Sequence, residues 1–455
     1  MNPEFQRNLW LEASPRRIAW AAVVLLLIYG AVAAMSRGNP YGPLGALGVA
    51  GGVVFTFCAV FWGARAGATS VLREVADRTW DFQRLSALDA WSMTWGKLLG
   101  ATSLAWICGL TGLLFVAARR LGDQGGLLWT LVFMLAFAVL LQAVSLGAAL
   151  IGVRKARAEG RPARAGSVLG GLIIGFVLLS WVGGSAGFQR GISTEGLGAL
   201  FNGAGFIDWG GAILPAGEFR AIALALFAAW AVIGAWRLMR LELQMQSQPL
   251  VWLGFLIFLA IFAGGFSLRT EGLPAALTVG ALAVALSAYA AAFAEPADRV
   301  KMRHFASLAR RGDLGGAAPL APAALACLIL STLLVLAALG TGIGHVMTPQ
   351  TGQAAALIAF LLRDLGVIAL CRLGQRPDRG DFAAVVALGL LYGVGGVVGW
   401  SIGHGAGSAF FAPLPNAPLI SLASGLVQAA IAWGLALRRI GVSAPPSAPA
   451  SAPES

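Results

Sequence analysis

Long apolar runs fill most of this chain, and short charged stretches separate them. Twelve runs are long enough to cross a hydrocarbon core of about 30 Å: residues 18–35, 44–64, 98–118, 126–153, 167–188, 211–236, 250–268, 273–293, 320–339, 354–373, 382–402 and 419–437. Pro215, Glu218 and Arg220 interrupt the start of the sixth run. Arg16 and Arg17 before the first run, and Ala31-Val32-Ala33 near its end, imitate a signal peptide. The length of that run and the spans that follow make it a retained first helix instead. Ahead of it, NPEFQRNLWLEASPRR is short and amphipathic, and predicts a helix lying flat in the interface over residues 1–17. The Pro/Ala/Ser-rich end, residues 441–455, predicts a disordered tail.

The densest break in the apolar pattern is residues 73–97, REVADRTWDFQRLSALDAWSMTWGK. On a helix, Glu74, Asp77, Arg78 and Asp81 share one face, while Leu72, Val75, Phe82 and Leu85 fall largely on the other. Glu74 with Arg78 and Asp81 with Arg84 form i,i+4 and i,i+3 pairs. The spacing predicts one amphipathic helix at the membrane surface.

Only 11% of the residues are charged and 58% are hydrophobic, against about 25% charged in a soluble domain. The fold class expected is therefore an all-α polytopic membrane protein. The net charge of +12 follows topology and implies no nucleic acid. With the N-terminus inside, 25 of the 32 lysines and arginines fall in the inner segments and five in the outer loops. That asymmetry predicts cytoplasmic N- and C-termini.

The chain carries no HExxH, GxSxG or Walker loop, and its four cysteines lack paired spacing. No enzymatic site, metal site or cofactor of its own is expected. Arg363-Asp364 lies mid-span in the tenth run, where an unpaired charge costs about 3 kcal/mol or more. It reads either as part of a translocation path or gate, or as an ion pair to a neighbouring span. Glycine pairs such as Gly48/Gly52 and Gly395/Gly399 read as close helix packing.

The loop over residues 294–318 repeats the first long loop. Glu74-Val-Ala-Asp77-Arg78 matches Glu295-Pro-Ala-Asp298-Arg299 at an offset of 221 residues. Both follow the second span of a six-span set, so the chain reads as two parallel halves, residues 18–236 and 237–440.

Residues 74–98, with Glu74, Arg78-Thr79-Trp80-Asp81, Arg84-Leu85-Ser86-Ala87-Leu88 and Gly96-Lys97-Leu98, resemble the cytoplasmic segment between the second and third spans of type-2 ABC exporter permeases. The N-terminal NPEFQRNLWLE resembles the interfacial elbow helix of that family. The resemblance covers mainly residues 1–120. It departs from the pattern at Trp80, where Gly-Thr is usual, and in carrying two halves in one chain.

The resemblance implies a permease subunit in a bacterial inner membrane, forming the path for an exported substrate. Segment 70–97 would be the coupling helix docked on a separate ATPase, which would bind ATP-Mg. Glu74, Asp77, Arg78, Trp80, Asp81 and Arg84 would make that contact, with Glu295, Asp298 and Arg299 meeting a second ATPase. The membrane part would be a homodimer or a single-chain pair of halves. Two other readings are an ion-coupled secondary transporter, disfavoured because intramembrane acids are scarce, and a non-transporting membrane assembly protein.

Overall fold

The computed structural model describes residues 2–36, 42–84, 89–121, 124–159, 205–245, 250–341, 349–374, 379–414 and 417–440. Apart from one β-hairpin, the described elements are helices, and the chain is an all-α polytopic membrane protein. Among the described residues nine helices are long and apolar enough to cross a bilayer, or ten if one bent pair counts as a span. The fifth apolar run of the sequence, residues 167–188, lies outside the described residues.

The described residues fall into two compact units, the first up to Val251 and the second from Trp252. In the first unit, α1 (Pro3–Glu12) starts at Asn2, whose side chain accepts from the Glu4 and Phe5 N–H groups at 3.0 and 3.3 Å. Pro3 and Glu4 suit the first turn, where an N–H is unneeded and the helix dipole favours an acid. Helix α2 (Pro15–Met35) buries only Tyr29. Trp20 is 64% exposed and Leu26 72%. Such a surface is stable only against lipid, because in water it would be a large unpaired apolar patch.

Helix α3 (Gly42–Ala76) has 35 residues, about 52 Å at 1.5 Å per residue, so it outreaches the hydrocarbon core. Residues Thr56–Trp62 within it form a π-helical stretch. It crosses α6 (Ser103–Arg119) at paired glycines. A Cβ on Gly112 would lie 2.3 Å from the Gly51 carbonyl oxygen, and one on Gly51 would lie 2.4 Å from that of Gly112. Two further helices, α7 (Gln124–Glu159) and α8 (Ala216–Glu242), complete the packing of this unit.

The predicted single helix over residues 73–97 is broken. Arg78 adopts φ +57°, and its N–H bonds the Val75 carbonyl while that of Thr79 bonds the Glu74 carbonyl. This is a Schellman stop with arginine in the left-handed position that glycine usually takes. The short helix α4 (Trp80–Arg84) follows, and then α5 (Ala90–Gly100) begins at Asp89. Because Arg78 leaves the helix, the i,i+4 pair predicted with Glu74 does not form. Between α5 and α6 the axis bends by 54°. A π turn at Gly96–Gly100 and a bond from the Thr102 hydroxyl to the Leu98 carbonyl supply the bend.

The sixth apolar run enters its helix later than the sequence suggests. Gly210 and Gly211, at φ +64° and +91°, form the two-residue turn of a hairpin between β1 (Phe206–Trp209) and β2 (Ala212–Pro215). Helix α8 therefore starts at Ala216 rather than Gly211.

In the second unit, α9 (Leu250–Gly264) has 15 residues, shorter than the predicted run, and α10 (Leu268–Glu271) is a separate turn. Next come α11 (Leu273–Ala294), α12 (Arg299–Arg310), α13 (Leu314–Ala317), α14 (Ala323–Thr341), α15 (Pro349–Arg372), α16 (Gly380–Phe411) and α17 (Pro418–Ile440). Leu256, Val284, Ala288, Cys327, Leu361 and Leu388 form the buried centre of this unit.

The contact order recurs. In the first unit α3 packs on α6 and α7, and α7 on α8; in the second α11 packs on α14 and α15, and α15 on α17. The two matched pentapeptides nevertheless differ in conformation. Asp77 closes a helix, whereas Asp298 opens one, accepting from the Val300 and Lys301 N–H groups at 2.8 and 3.1 Å. Pro296 prevents α11 from running on as α3 does.

Replacing Gly112 with leucine forces α3 and α6 apart. Overpacking of this kind costs roughly 1–3 kcal/mol, so the thermal unfolding midpoint in detergent should fall clearly. Gly30→Leu is the control, since nothing lies within 4 Å of a Cβ there, and its midpoint should stay at the wild-type value.

Candidate functional site

The charged segment after α3 is anchored from beneath by a buried ion cluster. The Lys97 side chain is 0% exposed and its Nζ lies 3.1 Å from Glu4 Oε1 on α1. It also pairs with Glu74 at the end of α3, and Arg7 pairs with both Glu74 and Glu4, the latter at 3.1 Å. Two carboxylates and two cations therefore balance. The ammonium also sits 5.2 Å from the centre of the Trp80 ring, which is buried.

Close approach of α1 makes this cluster. A Cβ on Gly96 would stand 2.5 Å from Glu4 Cγ, and one on Gly100 would stand 2.9 Å from Asn8 Cβ. Asn2 Nδ2 donates to the Ser92 carbonyl at 2.6 Å, and Asn8 Nδ2 donates to Glu4 Oε1 at 2.9 Å. Thus Gly96-Lys97 works as a unit, with the glycine admitting the helix and the lysine neutralising its acid. Trp91 stands edge-on to Trp95 and to Trp236 of α8, at 5.5 and 6.0 Å between ring centres. Helices α1, α3, α5 and α8 are so tied at one end of the first unit.

Of the predicted contact residues, Asp77, Arg78 and Asp81 are exposed. Glu74 and Trp80 turn inward to Lys97. Arg84 belongs to α4, but its side chain lies outside the described residues. Asp89, also exposed, caps α5, and the Ser92 side chain, then the Ser92 and Trp91 N–H groups, hold its carboxyl below the ordinary aspartate range. A lowered carboxylate stabilises above its unfolded pKa, so this cap holds at neutral pH and is lost as pH falls through the lowered value.

The second-unit residues have local duties. Glu295 Oε1 accepts from the Ala323 N–H at 3.2 Å, capping α14, while Asp298 caps α12 and Arg299 donates to the Gly374 carbonyl. Arg372 donates to the Ala292 and Glu295 carbonyls at the end of α11 and lies 2.8 Å from Asp381. A cation there completes the unpaired carbonyls of the helix terminus.

Arg363 and Asp364 form an ion pair at 2.7 Å, with the aspartate 0% exposed. The hydroxyls of Tyr289 on α11 and Tyr392 on α16 both donate to Asp364 Oδ2, at 2.6 and 2.7 Å. Arg363 Nη1 donates to Gln428 Oε1 on α17 at 3.0 Å, and its guanidinium stacks near Phe360 and Tyr392. Four helices thus meet at one neutral network.

In the first unit Gln142 occupies a similar place on α7. Its Nε2 donates at 2.7 Å to the Ala59 carbonyl in the π stretch, and its Oε1 accepts from Trp106 Nε1 at 3.2 Å. A π turn frees carbonyls that lipid cannot satisfy, and the glutamine amide supplies a donor. Gln142 and Arg363 stand 221 positions apart, the same interval that separates the pentapeptides. That spacing was the available sign of Gln142 in the sequence. Nothing in the sequence paired Glu4 with Lys97, Arg7 with Glu74, or the two tyrosines with Asp364, because these partners lie far apart along the chain.

No cluster of three or more His, Cys, Asp or Glu suited to a metal occurs among the described residues. No family model, curated protein or solved structure matches the chain.

Removing one partner of a buried pair costs about 3–5 kcal/mol because the other charge stays buried. Lys97→Met should lower the unfolding midpoint strongly, and Glu4→Gln added to it should recover part of the loss. Asp364→Asn should destabilise on the same scale, with Arg363→Gln/Asp364→Asn milder than the single change. Thermal unfolding in detergent measures both series.

Proposed function

We propose that the chain is the permease of a type-2 ABC exporter, with twelve spans in two six-span halves and both termini in the cytoplasm. The observation that carries this reading is the Glu4–Lys97–Glu74 cluster. It fastens an N-terminal interfacial helix to the end of α3 and the start of α5, the elements in which the resemblance to that family lies. Between those fixed ends the chain presents Asp77, Arg78 and Asp81 outward. A nucleotide-hydrolysing subunit gripping these side chains would move α3 and α5 together, because Lys97 ties both. The repeated contact order and the Gln142/Arg363 spacing support two halves in one chain. The 25-to-5 bias of basic residues supports the orientation.

In this arrangement Glu74 and Trp80 transmit motion inside the permease, while Asp77, Arg78 and Asp81 make the contact. In the second half Asp298, at the start of α12, is exposed and offers a smaller surface. The substrate path would lie within the helices, and ATP-Mg would bind only on the partner.

Charge reversal at the exposed turn, Asp77→Arg with Arg78→Asp, separates docking from folding. The variant should insert and unfold like wild type, yet lose most of the ATP hydrolysis that the permease stimulates in its co-expressed partner. Unchanged stimulated hydrolysis would remove the segment from the coupling role.

A further inference from the structure

A cavity of about 610 Å³ lies within the second unit beneath α12, a volume within the range of small-molecule sites, roughly 300–1,000 Å³. Its walls are almost wholly apolar and come from α11, α14, α15 and α17, with Met302 and Phe305 of α12 as a roof. Along α17 it runs from Leu426 to Leu437, about 16 Å at the helical rise, so it is a slot rather than a compact chamber. Leu426 and Leu437 are 49% and 39% exposed. The slot therefore reaches the apolar surface that faces lipid in a membrane protein.

Polar groups gather at one end: Glu295, Asp298, Lys301 and Arg372. Three are already engaged. Glu295 caps α14, Asp298 caps α12, and Arg372 binds carbonyls and Asp381. Lys301 has no ion-pair partner among the described residues. Helix α12 carries Arg299, Lys301, Arg303 and Arg310 and no acid. Glu295 and Asp298 offset two of these charges and Asp381 answers Arg372, so the four cations of α12 leave a net positive charge beside the mouth of the apolar slot.

We infer that this slot binds one acyl chain of an anionic phospholipid, with the head group against Lys301 and the chain between α14 and α17. The inference rests on the chain spanning a bilayer and not on the permease reading. Charge complementarity selects an anionic lipid over a zwitterionic one, and the long apolar lining excludes a polar solute.

The test places the full chain in nanodiscs containing phosphatidylglycerol or phosphatidylcholine with the same photoreactive diazirine in mid-chain, and maps the labelled peptides. Phosphatidylglycerol should label residues 325–328 and 426–437 about fivefold more than phosphatidylcholine, from one lysine near the surface. Lys301→Glu should bring the two lipids level. Ala430→Trp, at an exposed residue lining the slot, should remove labelling there and leave that of residues 20–27 on α2 unchanged, which also reports correct insertion. Equal labelling by the two lipids in the wild type, or labelling of the slot no greater than that of residues 20–27, would overturn the site. So would a Lys301→Glu variant that labels like wild type but loses a co-purifying nucleotide-hydrolysing protein, which would assign α12 to protein docking.

Discussion

A charge in hydrocarbon must be answered by another charge within the protein, because no water is there to answer it. Among the described residues this constraint sets two kinds of ionisable group apart. One set is closed on itself and largely buried: Lys97 with Glu4 and Glu74, which an exposed Arg7 also pairs, and Arg363 with Asp364. The other is exposed at the helix ends, as Asp77, Arg78 and the basic face of α12 are. The closed set holds helices together. The open set is where a soluble or lipid partner has something to recognise.

The closed clusters also explain features that look incidental in the sequence. Gly96 is small because Glu4 passes over it, and Gln142 is polar because its amide donates to the Ala59 carbonyl in the π stretch of α3. Tyr289 and Tyr392 keep their hydroxyls where Asp364 can accept them. Each of these side chains is placed by the electrostatic or hydrogen-bonding need of a neighbour from a different helix. Their role is cohesion, and it leaves the turn after α3 held at both ends.

What the sequence reveals of this structure is set by the range of each interaction along the chain. Hydropathy is a local property, so the apolar runs among the described residues appear as helices, though α3 runs on to Ala76 and α16 to Phe411, beyond the limits read from the sequence. It misplaces the start of α8, where a Gly-Gly turn inserts a hairpin. It also misses the break at Arg78, since arginine in a left-handed stop carries no sequence mark, unlike Gly312 in the corresponding position after α12. The charged segment was visible as a cluster of ionisable residues, but not which of them face inward. Choosing Glu74 for the interior needs Lys97 and Glu4, 23 residues downstream and 70 upstream of it. Periodicity within a single helix cannot see such partners.

On the proposed reading, the turn after α3 meets a nucleotide-hydrolysing subunit on the inner side of the membrane. A photoreactive amino acid placed at Asp77, illuminated in intact cells, tests it most directly. The expected result is a cross-link to a cytoplasmic protein bearing a Walker loop, abolished when that subunit is deleted. A side chain at Asp77 that reacts with a membrane-impermeant reagent added outside the cell, or that captures only lipid, would contradict it.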